Sequence, residues 1–493
     1  MVALLLGLVA APVPIGAGPL QSIDALLDDP RLSGSLVSVY VGTLGGRTVY
    51  ERNADLRSVP ASNQKLLTVA YALHTLGPDF RPVTRFWRTE RTPGQVSITV
   101  DASGDPTLSA DVVAEFGRRL GAGDGAPRIP VFVRQAFRAG VPPTWENDDL
   151  PFTYAPRITA WAVDRGRFSV VASGGAVSPL DPGLGLRLSV MPGATRQIEF
   201  DPMARTLTVR GPLPQERTVL GTFAAPQPDV LAASLLGGPM IATETVPDEP
   251  PSIEHQGVPI RELAGACLIP SDNFIAEALM LMSAAKEGPL GPDPYRVAPG
   301  RMRRFLTQTV GLPEDSVRPM DGSGMSRHNF VTARSVGDLL RWAKKQPWAE
   351  LWEASMAAPG RGTLASRLAG SSFRGKTGTL SAVVGLSGYV TGSDDETYVV
   401  SIILNNFLAS SAQMREIADQ IVRLIEKSSF DERHVIPSVH AQAVPDAGAD
   451  HSLGDRLHRP PRDSHPAPPR LDRGTEPPDA TVDRAERVAV RRR

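Results

Sequence analysis

A single cysteine, Cys267, stands among 493 residues. One thiol excludes an intrachain disulfide framework and any metal site built from several cysteines. Its place within the apolar stretch Leu263–Ile269 reads as that of a small buried hydrophobe. Neither sign of charge is in excess, since 52 basic and 53 acidic side chains leave a net charge of −1. That balance, with no basic stripe interleaved with aromatics, argues against nucleic acid as a partner. Histidine numbers only eight, and five of these lie beyond residue 430, so a histidine-held zinc site in the remainder is not expected. No apolar run approaches the roughly 20 residues a membrane-spanning helix needs. The longest such stretch opens the chain, Met1 to Ala11, and is followed by Pro12, Pro14, Gly16 and Gly18. It resembles the apolar part of a secretory signal ending near Ala17, although the first basic residue is Arg31. Either the true start lies upstream or this is a short buried segment. Export is the favoured reading, to a periplasmic or extracellular cell-wall location and without a transmembrane span.

The most telling scarcity is lysine, with six against 46 arginines. A guanidinium keeps its charge at any accessible pH, whereas an amine in a crowded cationic pocket can lose its proton and act as a base. Two of the six sit in short motifs, Ser62-Asn63-Gln64-Lys65 and Lys376-Thr377-Gly378, with Ser271-Asp272-Asn273 between them.

The length and the 41% hydrophobic content suit two or three domains with a real core. Leu36–Val41 and Thr48–Glu51 alternate around Gly45-Gly46 and predict a β-hairpin. Ser62 opens a helix whose apolar positions are Leu66, Leu67, Val69, Ala70 and Leu73, ended by Gly77-Pro78. On it Ser62 and Lys65 are three residues apart and face the same way, so the amine reaches the hydroxyl. Residues 82–256 carry many Pro and Gly and short alternating runs such as Val96–Val100, which predicts β-rich inserted domains. Ile260–Ile269 then reads as a helix stopped by Pro270. Ser271-Asp272-Asn273 falls on a loop opening the next helix, Phe274–Met282, where capping is the simple role for Ser271 and Asp272. Lys376-Thr377-Gly378 begins a meander through Val383–Val390 and Tyr398–Leu404, near a sheet edge, and Ala412–Ile425 has a helical stripe. The predicted class is α+β, an antiparallel sheet flanked by helices. The expected divisions are 1–18 signal-like, 19–81 and 257–430 as two parts of one catalytic domain, 82–256 inserted, and 431–493 a tail. That tail has no aromatic residue and nine prolines, and is read as disordered.

Five motifs occur in order: Pro60 to Lys65, Ser103-Gly104-Asp105-Pro106-Thr107-Leu108, Ser271-Asp272-Asn273, Asp321 to Asn329, and Gly375-Lys376-Thr377-Gly378-Thr379. Together they make residues 20 to 428 resemble a D-alanyl-D-alanine carboxypeptidase/endopeptidase of the type-C low-molecular-mass penicillin-binding class, the DacB kind. The 209 positions from Ser62 to Ser271 fit that class, whose extra domains are inserted there. The resemblance implies a penicillin-binding/β-lactamase-like fold and no cofactor. Its implied partners are peptidoglycan stem peptides, with β-lactams as covalent inhibitors.

It also implies roles. Ser62 would attack the carbonyl between two D-alanines, activated by Lys65 as base. Lys65 would be kept neutral by the second cation Lys376 and by partial burial. Ser271 would relay the proton to the leaving amine, and Asn273 would orient the substrate amide. Lys376 and Thr377 would hold the terminal carboxylate, and the backbone N–H groups of Ser62 and Thr379 would form the oxyanion hole. Asp148 or Asp149, beside Trp145 and Tyr154, would pair with an amino group on the peptide side chain, the alternative being solvated loop carboxylates. The Gly-rich stretch from Asp321 to Asn329 is expected to shape a turn beside the site. Asp164-Arg165-Gly166 departs from the family, which more often has a small polar residue after the aspartate, and this bears on fine substrate preference. Two other readings stand beside this one. A β-lactamase or esterase of the same fold would lack the long insert and carry a Glu-x-x-x-Asn loop not evident here. A non-catalytic wall-binding relative would not need Ser62, Lys65, Asn273 and Lys376 intact.

Overall fold

The computed structural model describes residues 18–90, 93–122 and 128–430. The expected signal-like segment, apart from Gly18, and the expected tail at 431–493 lie outside the described residues.

The central feature is a five-stranded antiparallel sheet in the order Arg374–Leu380, Val383–Thr391, Thr397–Asn405, Leu36–Thr43, Thr48–Arg52. The predicted N-terminal hairpin and C-terminal meander are both present, and they join edge to edge, Leu36 opposite Asn405 and Thr43 opposite Tyr398. Side chains of these strands alternate between two cores, as the two-residue period requires. Val39, Val41, Val400 and Ile402 pack against Ile23 of the helix Pro19–Leu27 and against Ile417, Ile421 and Ile425 of the helix Ser411–Glu426. Tyr40, Val399 and Ile403 face the opposite layer. Each fully buried aliphatic side chain here contributes roughly 1.5–3 kcal/mol.

That second layer holds the helices Gln64–Thr75, Ile260–Leu268, Asn273–Lys286 and Ala333–Ala343. The Ser62 helix was expected to show one apolar stripe, but every residue from Gln64 to Leu73 is buried. The same holds for Asn273 to Ala284. Helices covered on all sides lie in the middle of a core rather than on its surface, and so any polar group they carry there must find a partner inside.

Between Thr75 and Ile260 the chain is β-rich. One sheet runs Met240–Ala242, Val131–Gln135, Val96–Ala102, Val83–Glu90, Ile253–Gln256, and two three-stranded sheets are built from residues 167–224. Two helices, Ala110–Arg119 and Pro228–Leu235, also lie in this stretch. They are short, and the surrounding turn residues hide their period. Among the described residues no helix is long and apolar enough to cross a membrane.

Candidate active site

Ser62 sits in a short turn, Ala61–Asn63, that runs directly into the helix Gln64–Thr75. Ala61 has a φ of 47°, a conformation that costs a side-chain-bearing residue about 1–2 kcal/mol. Close packing from two sides holds it there. A Cβ on Gly324 would lie 1.9 Å from the Ala61 carbonyl oxygen, and one on Gly378 would lie 3.2 Å from the Ser62 nitrogen. Only glycine allows that approach, so the Asp321–Asn329 loop and the edge strand Arg374–Leu380 both close on the Ser62 turn.

Lys65 is fully buried one turn further on. Its Nζ donates to Ser62 Oγ at 2.9 Å, to Asn273 Oδ1 at 2.6 Å and to the Ser323 carbonyl at 2.6 Å. The Asn273 amide is oriented by its own Nδ2, which donates to the Tyr154 carbonyl at 2.7 Å. Two of the three partners of Lys65 can therefore only accept. When the amine is neutral its two N–H bonds stay with those carbonyl oxygens, and its lone pair is left facing the Ser62 hydroxyl. Burial pushes Lys65 below the ordinary lysine range, while Asp321, Glu277 and Asp272 act in the opposite sense. Complete burial is thus the cause, in place of the expected second cation with partial burial. The mutual effect of the two amines is felt at Lys376, pushed well below the ordinary range by burial first and then by the charge of Lys65.

Lys376 is also fully buried and its Nζ donates to the Thr377 carbonyl at 2.7 Å; opposite it in the sheet is Ser387, whose Oγ accepts from Asn63 Nδ2 at 2.9 Å, so Lys376 faces the layer that carries the Ser62 turn. Thr377 Oγ1 donates to Thr363 Oγ1 at 2.8 Å. Thr379, two residues on, is exposed and lines the cleft with Ser62, Ser271 and Asn273. The cleft encloses about 370 Å³, within the range of small-ligand sites. Ser271 has a φ of 66° and does not cap the following helix. Asp272 is the cap, accepting the Ile275 N–H at 3.0 Å.

The structure separates the two acidic candidates. Asp149 lines the cleft and accepts the Tyr154 hydroxyl at 2.8 Å. Asp148, beside it in the turn Asn147–Asp149, is exposed and is not among the residues that line this cleft.

The contacts that support the site are not assigned by the sequence, although Asp164-Arg165-Gly166 and the Asp321–Asn329 stretch stand out in it. Arg165 and Arg167 donate to Asp272 Oδ2 at 2.9 and 3.2 Å, so the departure at Asp164-Arg165-Gly166 ties the inserted region to the loop carrying Ser271 and Asn273. Arg327, from the Gly-rich loop, donates to Glu146 at 2.9 Å across the cleft. Asp321 organises that loop, accepting from Trp145 Nε1 at 2.9 Å, Gly324 N at 2.8 Å and Ser326 N at 2.7 Å. Glu277 is buried under the same loop; a lone acid four residues after Asn273 in an apolar helix was the available signal. Cys267 is buried, with its thiol pushed up to about 12 by burial, and it behaves as the small hydrophobe expected.

The profile of the D-Ala-D-Ala carboxypeptidase 3 (S13) family matches residues 20–428. A D-alanyl-D-alanine carboxypeptidase of Actinomadura sp. is 30% identical over 459 residues, covering 82% of this chain and 84% of that one. Carboxypeptidase DacB of Mycolicibacterium smegmatis is 27% identical over 416 residues, covering 80% and 82% respectively. In fold, the chain is similar to penicillin binding protein 4 (dacB) of Haemophilus influenzae, with a TM-score of 0.68 and 19% identity over 82% of this chain and 99% of that one. A buried lysine held between a serine and two carbonyl acceptors thus occurs within a family match spanning residues 20–428, and the chain belongs to the D-Ala-D-Ala carboxypeptidase 3 (S13) family.

Proposed function

We propose that Ser62 is the nucleophile and Lys65 the base of a D-alanyl-D-alanine carboxypeptidase/endopeptidase acting on peptidoglycan stem peptides. The observation that carries this reading is the set of three hydrogen bonds at Lys65 Nζ, which leaves a neutral amine no acceptor site except the one facing Ser62 Oγ. The Ser62 proton passes to Lys65 as Oγ bonds to the carbonyl carbon between the two D-alanines. The resulting oxyanion is received by the backbone N–H groups of Ser62 and Thr379. The C–N bond then breaks, Ser271 relays to the departing amine the proton that Lys65 took from Ser62, which returns Lys65 to its neutral form, and Asn273 orients the remaining peptide. Water hydrolyses the ester. A β-lactam presents a strained amide to the same hydroxyl, and so acylates it. The insert, divided from the catalytic body near residues 82 and 256, supplies the outer cleft wall, and the protein works outside the cytoplasm.

The test is direct. The protein should release D-alanine from a peptide ending in D-Ala-D-Ala and carry a stable covalent label from a fluorescent penicillin. Rapid penicillin hydrolysis without a persistent label would favour the β-lactamase reading, and neither release nor label would favour a wall-binding relative.

Lys376, Thr377 and Thr379 hold the terminal carboxylate in this reading. Because Lys376 is fully buried, an arriving anion favours its charged form. Hydrogen bonds to a charged group contribute about 1.5–3 kcal/mol, so peptides ending in an amide should lose roughly tenfold to a few hundredfold in kcat/KM. Lys376→Ala should cost about the same, and the two changes together little more than either alone. Fully additive losses would move the carboxylate to another cation, Arg374 being the first to examine. Asp149 receives an amino group on the stem-peptide side chain, so Asp149→Asn should reduce the preference for peptides bearing that amine by about tenfold. Asp148→Asn should leave the preference unchanged; equal effects of the two would remove Asp149 from the site.

A further inference from the structure

Behind Lys65 lies a carboxyl group that the reaction as drawn does not use. Glu277 is one turn beyond Asn273 on the helix Asn273–Lys286 and fully buried. Its Oε1 accepts the N–H of Ser323 at 2.8 Å and that of Gly322 at 3.0 Å, and its Oε2 accepts the Tyr295 hydroxyl at 3.0 Å. From the other side Thr68, three residues past Lys65, donates to the Gly322 carbonyl at 2.6 Å. The Gly322–Ser323 segment is therefore gripped on both sides, and the next carbonyl it presents, that of Ser323, accepts from Lys65 Nζ at 2.6 Å. The segment also lies flush on the helix, since a Cβ at Gly322 would sit 2.6 Å from the Ala276 carbonyl oxygen. Residues four apart share a helix face. One face of this helix thus bears on both carbonyl acceptors of Lys65, Asn273 directly and Ser323 through the hold of Glu277 on its peptide.

A role in packing alone does not account for this acid, because desolvating a carboxyl costs more than filling the same space with an apolar side chain. Burial pushes Glu277 up to about 8, and Asp321 adds to the effect. The ionisable groups around it are Tyr295 from the helix Pro294–Arg304, Asp321 from its own loop, and Lys65 from the nucleophile helix. Asp272 and Cys267 also act on Lys65.

Building on the Ser62–Lys65 reading, we infer that Glu277 is a positioning residue: it locks the Ser323 carbonyl onto Lys65 Nζ and so aims the lone pair of the base at Ser62. The test uses Glu277→Gln and Thr68→Val in the full chain. The rate of covalent acylation by a fluorescent penicillin is followed at several penicillin concentrations, to separate binding from the chemical step, and across pH. A glutamine keeps one oxygen for the Ser323 N–H but turns an N–H group toward the Gly322 N–H, which Glu277 receives on Oε2 as well at 3.0 Å, and toward the Tyr295 hydroxyl oxygen. The acylation rate constant per active site should fall about tenfold to a hundredfold, with affinity before acylation unchanged within about twofold. Above about pH 8, where Glu277 is ionised, the acid limb of the pH profile should move to lower pH, because a carboxylate that favours the protonated lysine is gone. Thr68→Val should lower the same rate constant less and leave the limb in place, and the double variant should lose less than the product of the two. A purely structural role would lower the melting temperature and the active fraction without moving the rate per site or the limb. A wild-type rate and limb in Glu277→Gln would overturn the inference. If that variant does not fold, an unchanged rate in Thr68→Val overturns it. Normal acylation by Lys65→Arg would instead remove the base assignment, so the two failures are distinguishable.

Discussion

Ser62→Ala should abolish both D-alanine release and covalent penicillin labelling, by on the order of 10⁴–10⁶-fold in rate, while the protein remains folded. The expected loss is this large because no other hydroxyl occupies its place: Ser62 is the one that Lys65 Nζ meets, at 2.9 Å, and its backbone is set by the strained Ala61 and the close approach of Gly324 and Gly378. Ser271 also lines the cleft, but the bonds of Lys65 go to Ser62, Asn273 and Ser323. The stability cost is modest, since one hydrogen bond contributes about 0.5–1.5 kcal/mol net and the glycine contacts that shape the turn do not involve the hydroxyl. Mass spectrometry of the penicillin adduct decides the matter. An adduct on the alanine variant would place the nucleophile elsewhere.

Lys65→Arg should be nearly as damaging to acylation as Lys65→Ala. Arginine keeps the positive charge but cannot take the serine proton, and its larger fork does not fit a site closed by two carbonyl oxygens at 2.6 Å. Burial of a charge that cannot be relinquished also destabilises the core, so the rate should be referred to the folded, correctly titrated fraction. The pH dependence has a definite sign. The base must be unprotonated, and burial lowers its pKa, so acylation by the wild-type protein should be lost as pH falls through a value below the ordinary lysine range. In a polar, solvated site the same limb would lie near that ordinary range. Arginine acylating at close to the wild-type rate would make Lys65 an electrostatic partner only.

Elements whose cause is local were legible from residue order. The hairpin at Leu36–Thr43 and Thr48–Arg52, the helices beginning at Gln64 and Asn273, and the strand carrying Lys376 follow from alternation, helical period and stop residues. Ser62 and Lys65 meet because three positions on a helix make one turn, and the ordered motifs carried the family. Tertiary packing decided what depends on partners distant in the chain. Val39 pairs with Ile402 in the sheet, and no local pattern encodes which strand lies beside which. The burial of Lys65, hence its lowered pKa, comes from layers contributed by Asn273, Ser323 and the insert. The orientation of Asn273 rests on a carbonyl 119 positions away, at Tyr154. A backbone acceptor has no residue-type signal, so neither Tyr154 nor Ser323 could be found from side-chain chemistry. Asp148 and Asp149 are equivalent as letters, and only the turn that carries them decides which one faces the cleft. The sequence by itself determined the candidate reactive groups and their order; the fold determined which of them are dry, which carbonyl oxygens hold the amine, and therefore where its lone pair would point.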